Sequence, residues 1–172
     1  MMQPKTIAEV LTQDHERLDG LLLQFSQDFS DRDAYLEFRS GLLRHIRLEE
    51  TVLLPAARVA NGGMAIELAA KLRLDHGAIA SLLVPTPTTQ IVHALKTILA
   101  LHNALEEGGG GVYAQCDAIL GESAEHIIEE FDKIGLVPMA KNTDIPLAMQ
   151  AAGRALERAG YSAGLIEPES VR

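Results

Sequence analysis

The sequence predicts an all-α protein, an up-down-up-down four-helix bundle with extra C-terminal helical segments, and three observations carry that reading. Apolar residues make up 47% of the 172 residues but aromatics only 4%, with no Trp, and the apolar set is dominated by Leu, Ala and Ile, which suit helices better than sheets. Apolar positions recur at steps of three and four in four successive segments. Between those segments stand residues that stop helices or cap them. The length fits one bundle at 1–135 followed by a tail at 136–172 whose short helix would pack on the bundle or on a partner subunit.

The first segment, Thr6 to Phe29, repeats Ile7, Leu11, Leu18, Leu22, Phe25 and Phe29, with His15 filling the gap in the stripe. Ser30, Asp31 and Asp33 then offer turn and N-cap chemistry. The second carries Tyr35, Phe38, Leu42, His45, Glu49, Val52, Ala56 and Val59 in unbroken three-four alternation, and Asn61, Gly62 and Gly63 end it. The third, Met64 to Val84, places Ala65, Leu68, Leu72, His76, Ile79 and Leu83 on one face before Pro85 and Pro87 stop it. Thr88 or Thr89 can cap the fourth, which shows Val92, Leu95, Leu99, His102 and Glu106 and keeps its rhythm through Tyr113, Cys116 and Leu120. Gly108 to Gly111 oppose that rhythm, since glycine costs a helix roughly 1 kcal/mol per residue relative to Ala, so a distortion or interruption is expected there. Ser123 to Ile134 reads as a further helix with Ile127, Phe131 and Ile134 inward, and Asp144 to Ala159 as another, ended by Gly160.

A formal charge of -9 excludes a nucleic-acid surface, which needs dense Lys and Arg, and disfavours acidic membranes. No stretch approaches the roughly 20 apolar residues of a spanning helix, and the first ten residues lack a basic region followed by an apolar run. A cytoplasmic address is the expectation. The lone Cys116 reads as a small buried apolar residue.

Chemistry enters through His and Glu at bundle-seam positions. A His and a Glu four residues apart share one helix face, about 6 Å apart along the axis, so both can reach a common centre. That pair occurs twice, as His45 with Glu49 and as His102 with Glu106, and His15 and His76 take the matching seam positions of the other two helices. Burying two carboxylates without partners costs several kcal/mol, and a bound dication removes that penalty. Four imidazoles and two carboxylates suit iron, manganese or zinc and suit calcium or magnesium poorly. Shared as bridges, the two glutamates would give each of two metals two nitrogens and two oxygens, leaving open positions.

The stretches QDHERLDGLL, HIRLEETVLLPAA, LDHGAI and HNALEE, in that order, resemble the hemerythrin-type cation-binding domain from about Ile7 to Leu120. The resemblance implies a non-haem centre of two iron ions, with manganese or zinc as substitutes, held by His15, His45, Glu49, His76, His102 and Glu106. Leu72 stands where oxygen-carrying hemerythrins have a further His, and the ligand set is similar to that of the bacterial repair-of-iron-centres proteins. The expected function is binding of oxygen or nitric oxide, or storage and delivery of iron. A di-iron oxidoreductase reducing nitric oxide or peroxide is the alternative, and a zinc-filled or metal-free interaction module the third. The expected partners are a small diatomic ligand or peroxide and a second copy of the chain.

The residues beside the ligands are expected to lie off the centre, because a sequence neighbour points about 100° away round a helix. Asp14 and Asp75 read as solvated or capping, and Glu50 and Glu107 as outer-face residues or, failing that, replacement ligands. His93 and His126 read as surface groups, Tyr35 as a cap on the core, and Tyr113, about 10 Å beyond Glu106 if the helix continues, as core packing.

Overall fold

The computed structural model describes residues 5–167, and among them every regular element is helical. Helix α1 spans Ile7–Gln27 and α2 Arg32–Leu48. A single π-helical turn, Glu49–Leu53, joins α2 to α3 at Leu54–Ala60. Then come α4 at Ala69–Leu82, α5 at Thr89–Glu107, α6 at Val112–Leu120, a 3-10 turn at Gly121–Ser123, α7 at Ala124–Asp132, α8 at Pro146–Arg158 and a 3-10 turn at Ala163–Ile166. No described helix is long and apolar enough to cross a membrane.

The chain divides into two compact units. The first comprises residues up to 69 together with 103–138. Its α1 starts at a capping box, in which the Thr6 hydroxyl accepts from the Glu9 amide and the Glu9 carboxylate accepts from the Thr6 amide. Asp117 of α6 adds a long-range cap, accepting from the amides of Ile7 at 2.8 Å and Ala8 at 3.1 Å. Ile7, Leu11, His15, Leu18, Leu22 and Phe25 form the buried stripe of α1. Phe25 meets Tyr35 at a ring distance of 4.7 Å, so Tyr35 does cap this end of the core. The Arg44 guanidinium donates to the carbonyls of Phe131 and Ile134, each at 2.8 Å, which ties α2 to the end of α7.

The second segment departs from the expected register at one place. Val59 is 79% exposed and Val52 and Ala56 are only half-buried, whereas Leu53, Leu54 and Ala57 are buried. A π turn bonds i to i+5 and so inserts one extra residue. The core-facing positions beyond Glu49 therefore slip by one, from Val52 and Ala56 to Leu53 and Ala57. Asn61 closes α3, and Gly62 and Gly63 follow at φ 66° and 88°.

The second unit comprises 70–102 and residues from 139 on. Leu72, Ile79 and Leu83 face inward as expected, and Leu82 is buried as well. Ala65 is exposed and Leu68 half-buried, because α4 begins at Ala69 rather than at Met64. The tail straps the α4 to α5 connection: Asp144 accepts from the amide and hydroxyl of Thr86, both at 2.8 Å, and the Asn142 amide donates to the Pro85 carbonyl at 2.8 Å. Helix α8 buries Ala152, Ala155 and Leu156 and ends before Gly160, whose φ is 89°.

The glycine run breaks the fourth segment outright. Helix α5 ends at Glu107 and α6 starts at Val112, with Gly110 at φ 75°. A Cβ on Gly111 would lie 2.5 Å from the Glu106 carbonyl oxygen, and one on Gly108 would lie 2.6 Å from that of Ala104. Glycine suits this tight turn, where an added Cβ would meet backbone oxygens.

Candidate metal centre

Four of the six expected ligands meet inside the first unit. His15 comes from the middle of α1, His45 from the last turn of α2, Glu49 from the first position of the π turn and Glu106 from the last turn of α5. All four are at least 96% buried, and one donor atom from each lies within 4.8 Å of every other. The Nε2 atoms of His15 and His45 are 3.0 Å apart. His45 Nε2 lies 3.3 Å from Glu49 Oε1, and His15 Nε2 lies 3.4 Å from Glu106 Oε2.

These separations fit a cation. Nitrogen ligands at about 2.1 Å from a common metal stand roughly 3.0 Å apart at right angles and roughly 3.4 Å apart in a tetrahedron. The chemistry of the set also fits, since imidazole with carboxylate matches the borderline divalent metals.

Two acidic neighbours, read from the sequence as off-centre, act on the imidazoles from behind. Asp14 Oδ2 sits 2.9 Å from Nδ1 of His45, and Glu107 Oε1 sits 2.5 Å from Nδ1 of His15. The expectation that Asp14 and Glu107 lie off the site was therefore wrong. The 100° argument holds for each residue's own neighbour, yet Asp14 turns away from His15 on α1 and reaches across to α2, while Glu107 reaches α1. A carboxylate on Nδ1 fixes the tautomer that leaves Nε2 free to ligate and raises the basicity of the ring.

The electrostatics agree with that arrangement. Burial opposes ionisation of Asp14, but its bond to His45, the charge of that ring and the nearby Arg17 hold its carboxyl down at about 2. Burial and the charge of His45 push His15 down to about 4 against the pull of Glu107 and Glu49. Burial works against His45 as well, but Glu49 and Asp14 outweigh it and raise the ring to about 10. Two Nε2 atoms 3.0 Å apart cannot both carry hydrogen, so at most one of them does.

The largest miss concerns Tyr113, expected as core packing. Its hydroxyl stands among the four donor atoms, 2.6 Å from Glu49 Oε1, 3.1 Å from Glu106 Oε2, 3.2 Å from His15 Nε2 and 3.3 Å from His45 Nε2. Burial and the charges of Glu49 and Glu106 raise its phenol well above the usual value. The glycine run was the available signal: a broken helix can fold Tyr113 back toward Glu106, which a continuous one cannot.

The second unit buries the other two histidines side by side, with the rings of His76 and His102 4.8 Å apart and inclined at 67°. Asp75, expected to be solvated or capping, is fully buried, with Oδ2 3.5 Å from His102 Nδ1 and Oδ1 receiving the Lys71 ammonium at 2.5 Å. Lys71 also donates to the Ala159 carbonyl at 2.8 Å. Burial opposes ionisation of Asp75, but His102 and Lys71 lower its pKa overall. Asp75 thus stands to His102 as Asp14 stands to His45. Glu50 is half-buried, His93 is exposed, and His126 is an exposed group 3.6 Å from Glu129. Cys116 is buried, and burial together with Asp117 raises its thiol to about 12, so it is an inert packing residue.

Residues 6–130 match the hemerythrin HHE cation-binding domain, and the chain belongs to that family. No curated protein and no solved structure matches it.

Proposed function

We propose that this chain is a hemerythrin-like non-haem di-iron protein that binds oxygen or nitric oxide at its metal centre. The convergence of His15, His45, Glu49 and Glu106 in a buried site carries the reading, because that set has no purpose in an apolar core except to hold a cation. His76 and His102 would hold the second iron. An internal repeat supports this: Asp-His followed by His-x3-Glu occurs as Asp14, His15, His45 and Glu49, then as Asp75, His76, His102 and Glu106. A carboxylate behind the His of each His-x3-Glu pair continues the repeat into the structure.

Iron in such a centre supplies open coordination positions and a change of oxidation state. The chain's own residues do the rest. Asp14 and Glu107 orient the rings of His45 and His15 and keep their Nδ1 protons. Leu11 and Leu18, one turn either side of His15, and Leu42 and Leu48, flanking His45, are buried and keep water from the donors. A cytoplasmic address belongs to the same proposal.

Protein purified without oxygen and analysed for metal should contain two irons per chain. Its optical spectrum should change stoichiometrically on adding oxygen or nitric oxide. Turnover of nitric oxide or peroxide faster than by free iron would replace binding with catalysis, and zinc with no spectral response would overturn the proposal.

A further inference from the structure

The geometry points to Tyr113 as a fifth protein ligand of the metal held by His15, His45, Glu49 and Glu106, coordinating as a phenolate. The inference rests on the reading of this site as a metal centre and adds a donor that the sequence pattern does not contain.

The placement of the donor atoms carries the assignment. Five heteroatoms lie together: the Nε2 atoms of His15 and His45, one oxygen each from Glu49 and Glu106, and the hydroxyl of Tyr113. Seven contacts of 3.4 Å or less join them. A cation at the shared centre turns all seven into edges of one coordination polyhedron. The hydroxyl's four distances, 2.6 Å to 3.3 Å, bracket the value of about 3.0 Å for ligands at right angles.

The backbone is built to deliver this atom. Tyr113 is the second residue of α6, directly after the turn in which Gly111 donates to the Gly108 carbonyl at 2.6 Å. Its side chain is fully buried and its hydroxyl reaches no polar group outside the cluster that the described contacts record. On coordination the phenol O–H bond breaks heterolytically. The electron pair stays on oxygen and forms the bond to the metal, and the proton passes to the buffer.

The test is spectroscopic. Protein loaded with ferrous iron under anaerobic conditions and oxidised with ferricyanide should show a broad visible phenolate-to-iron band and resonance-enhanced phenolate ring vibrations. Tyr113→Phe should abolish both while iron stays bound, and Tyr35→Phe and Tyr161→Phe, which replace the only other tyrosines, should keep both. Should Tyr113→Phe fail to fold, ring-deuterated tyrosine in a chain carrying both control substitutions must shift the vibrations, which then belong to Tyr113. Iron bound without phenolate vibrations, or vibrations that survive Tyr113→Phe, overturn the assignment and leave the metal centre standing. A chain that takes up no iron overturns both.

Discussion

Asp14 and His45 lie on different helices, yet the Asp14 carboxylate reaches the back of the His45 ring at 2.9 Å while His15, its own neighbour in sequence, points its Nε2 at the same centre. One dipeptide of α1 thus faces two ways: His15 turns to the cluster of donor atoms, and Asp14 to the back of the ring on the next helix. Asp75 and His76 on α4 repeat this, with Asp75 turned to His102.

Removing that support should weaken metal binding without abolishing it. Asp14→Asn keeps the shape but takes away the charge that fixes the His45 tautomer, and loss of such a partner weakens metal affinity by about 10- to 100-fold. A chelator competition titration measures the change. An unchanged affinity would mean that Asp14 serves α1 alone.

The same carboxylate sets a pH dependence. The folded-state pKa of Asp14 is depressed to about 2 from 3.8. Its contribution to stability is therefore complete above the unfolded value and disappears as pH falls from there through about 2. Urea unfolding of the metal-free protein should show a loss between pH 4 and pH 2, on the order of the window the pKa shift defines, that is shallower in Asp14→Asn.

Glu49 is asked to neutralise the cation from a site with almost no exposure. Glu49→Ala should bind at least one metal fewer per chain, and the rise in melting temperature that iron gives the parent should shrink, because ligand linkage stabilises only what it binds. Full occupancy with an unchanged rise would remove Glu49 from the ligand set.

The four-residue spacing of His45 with Glu49 and of His102 with Glu106 made the burial of these four polar residues legible in the sequence, because a helix period puts both side chains on one face whatever surrounds them. Asp14, Asp75 and Glu107 were not legible for the complementary reason. Their targets lie on other helices, and periodicity says nothing about which neighbour a side chain crosses to. Tyr113 was hidden by the assumption of helical continuity. Its place depends on the φ of 75° at Gly110 and on the crowding at Gly111, which a residue count cannot supply.

The glycine break makes its own prediction. A methyl at Gly111 would meet backbone oxygens of Glu106, Leu105 and Gly108 at 2.5–2.8 Å, and backbone cannot swing aside as a side chain can. Gly111→Ala should destabilise by about 1–3 kcal/mol or more and displace Tyr113 from the donors. Gly109 has nothing within 4 Å of an added methyl, so Gly109→Ala should leave stability and metal content as they are. Chemical denaturation of both variants, read with their metal content, separates the two positions. Equal effects would contradict the crowding at Gly111.

The π turn at Glu49–Leu53 moves the core by one residue, and substitutions can read that shift directly. An uninterrupted α-helix would bury Val52, Ala56 and Val59, whereas the chain buries Leu53, Leu54 and Ala57 and leaves Val59 79% exposed. Leu53→Ala should then cost about 2–5 kcal/mol as a fully buried truncation, while Val59→Ser should change stability by no more than about 0.5 kcal/mol. Because Glu49 opens the turn, its carboxylate and the shifted core are set by the same extra residue. Deleting Val52 should remove the turn, leave Leu53 and Ala57 on the buried face with Val59 still exposed, and lower metal affinity and with it the stability that bound metal adds, as metal titration and urea denaturation of that variant would record. A deletion that left both unchanged would show that the π turn plays no part in placing Glu49.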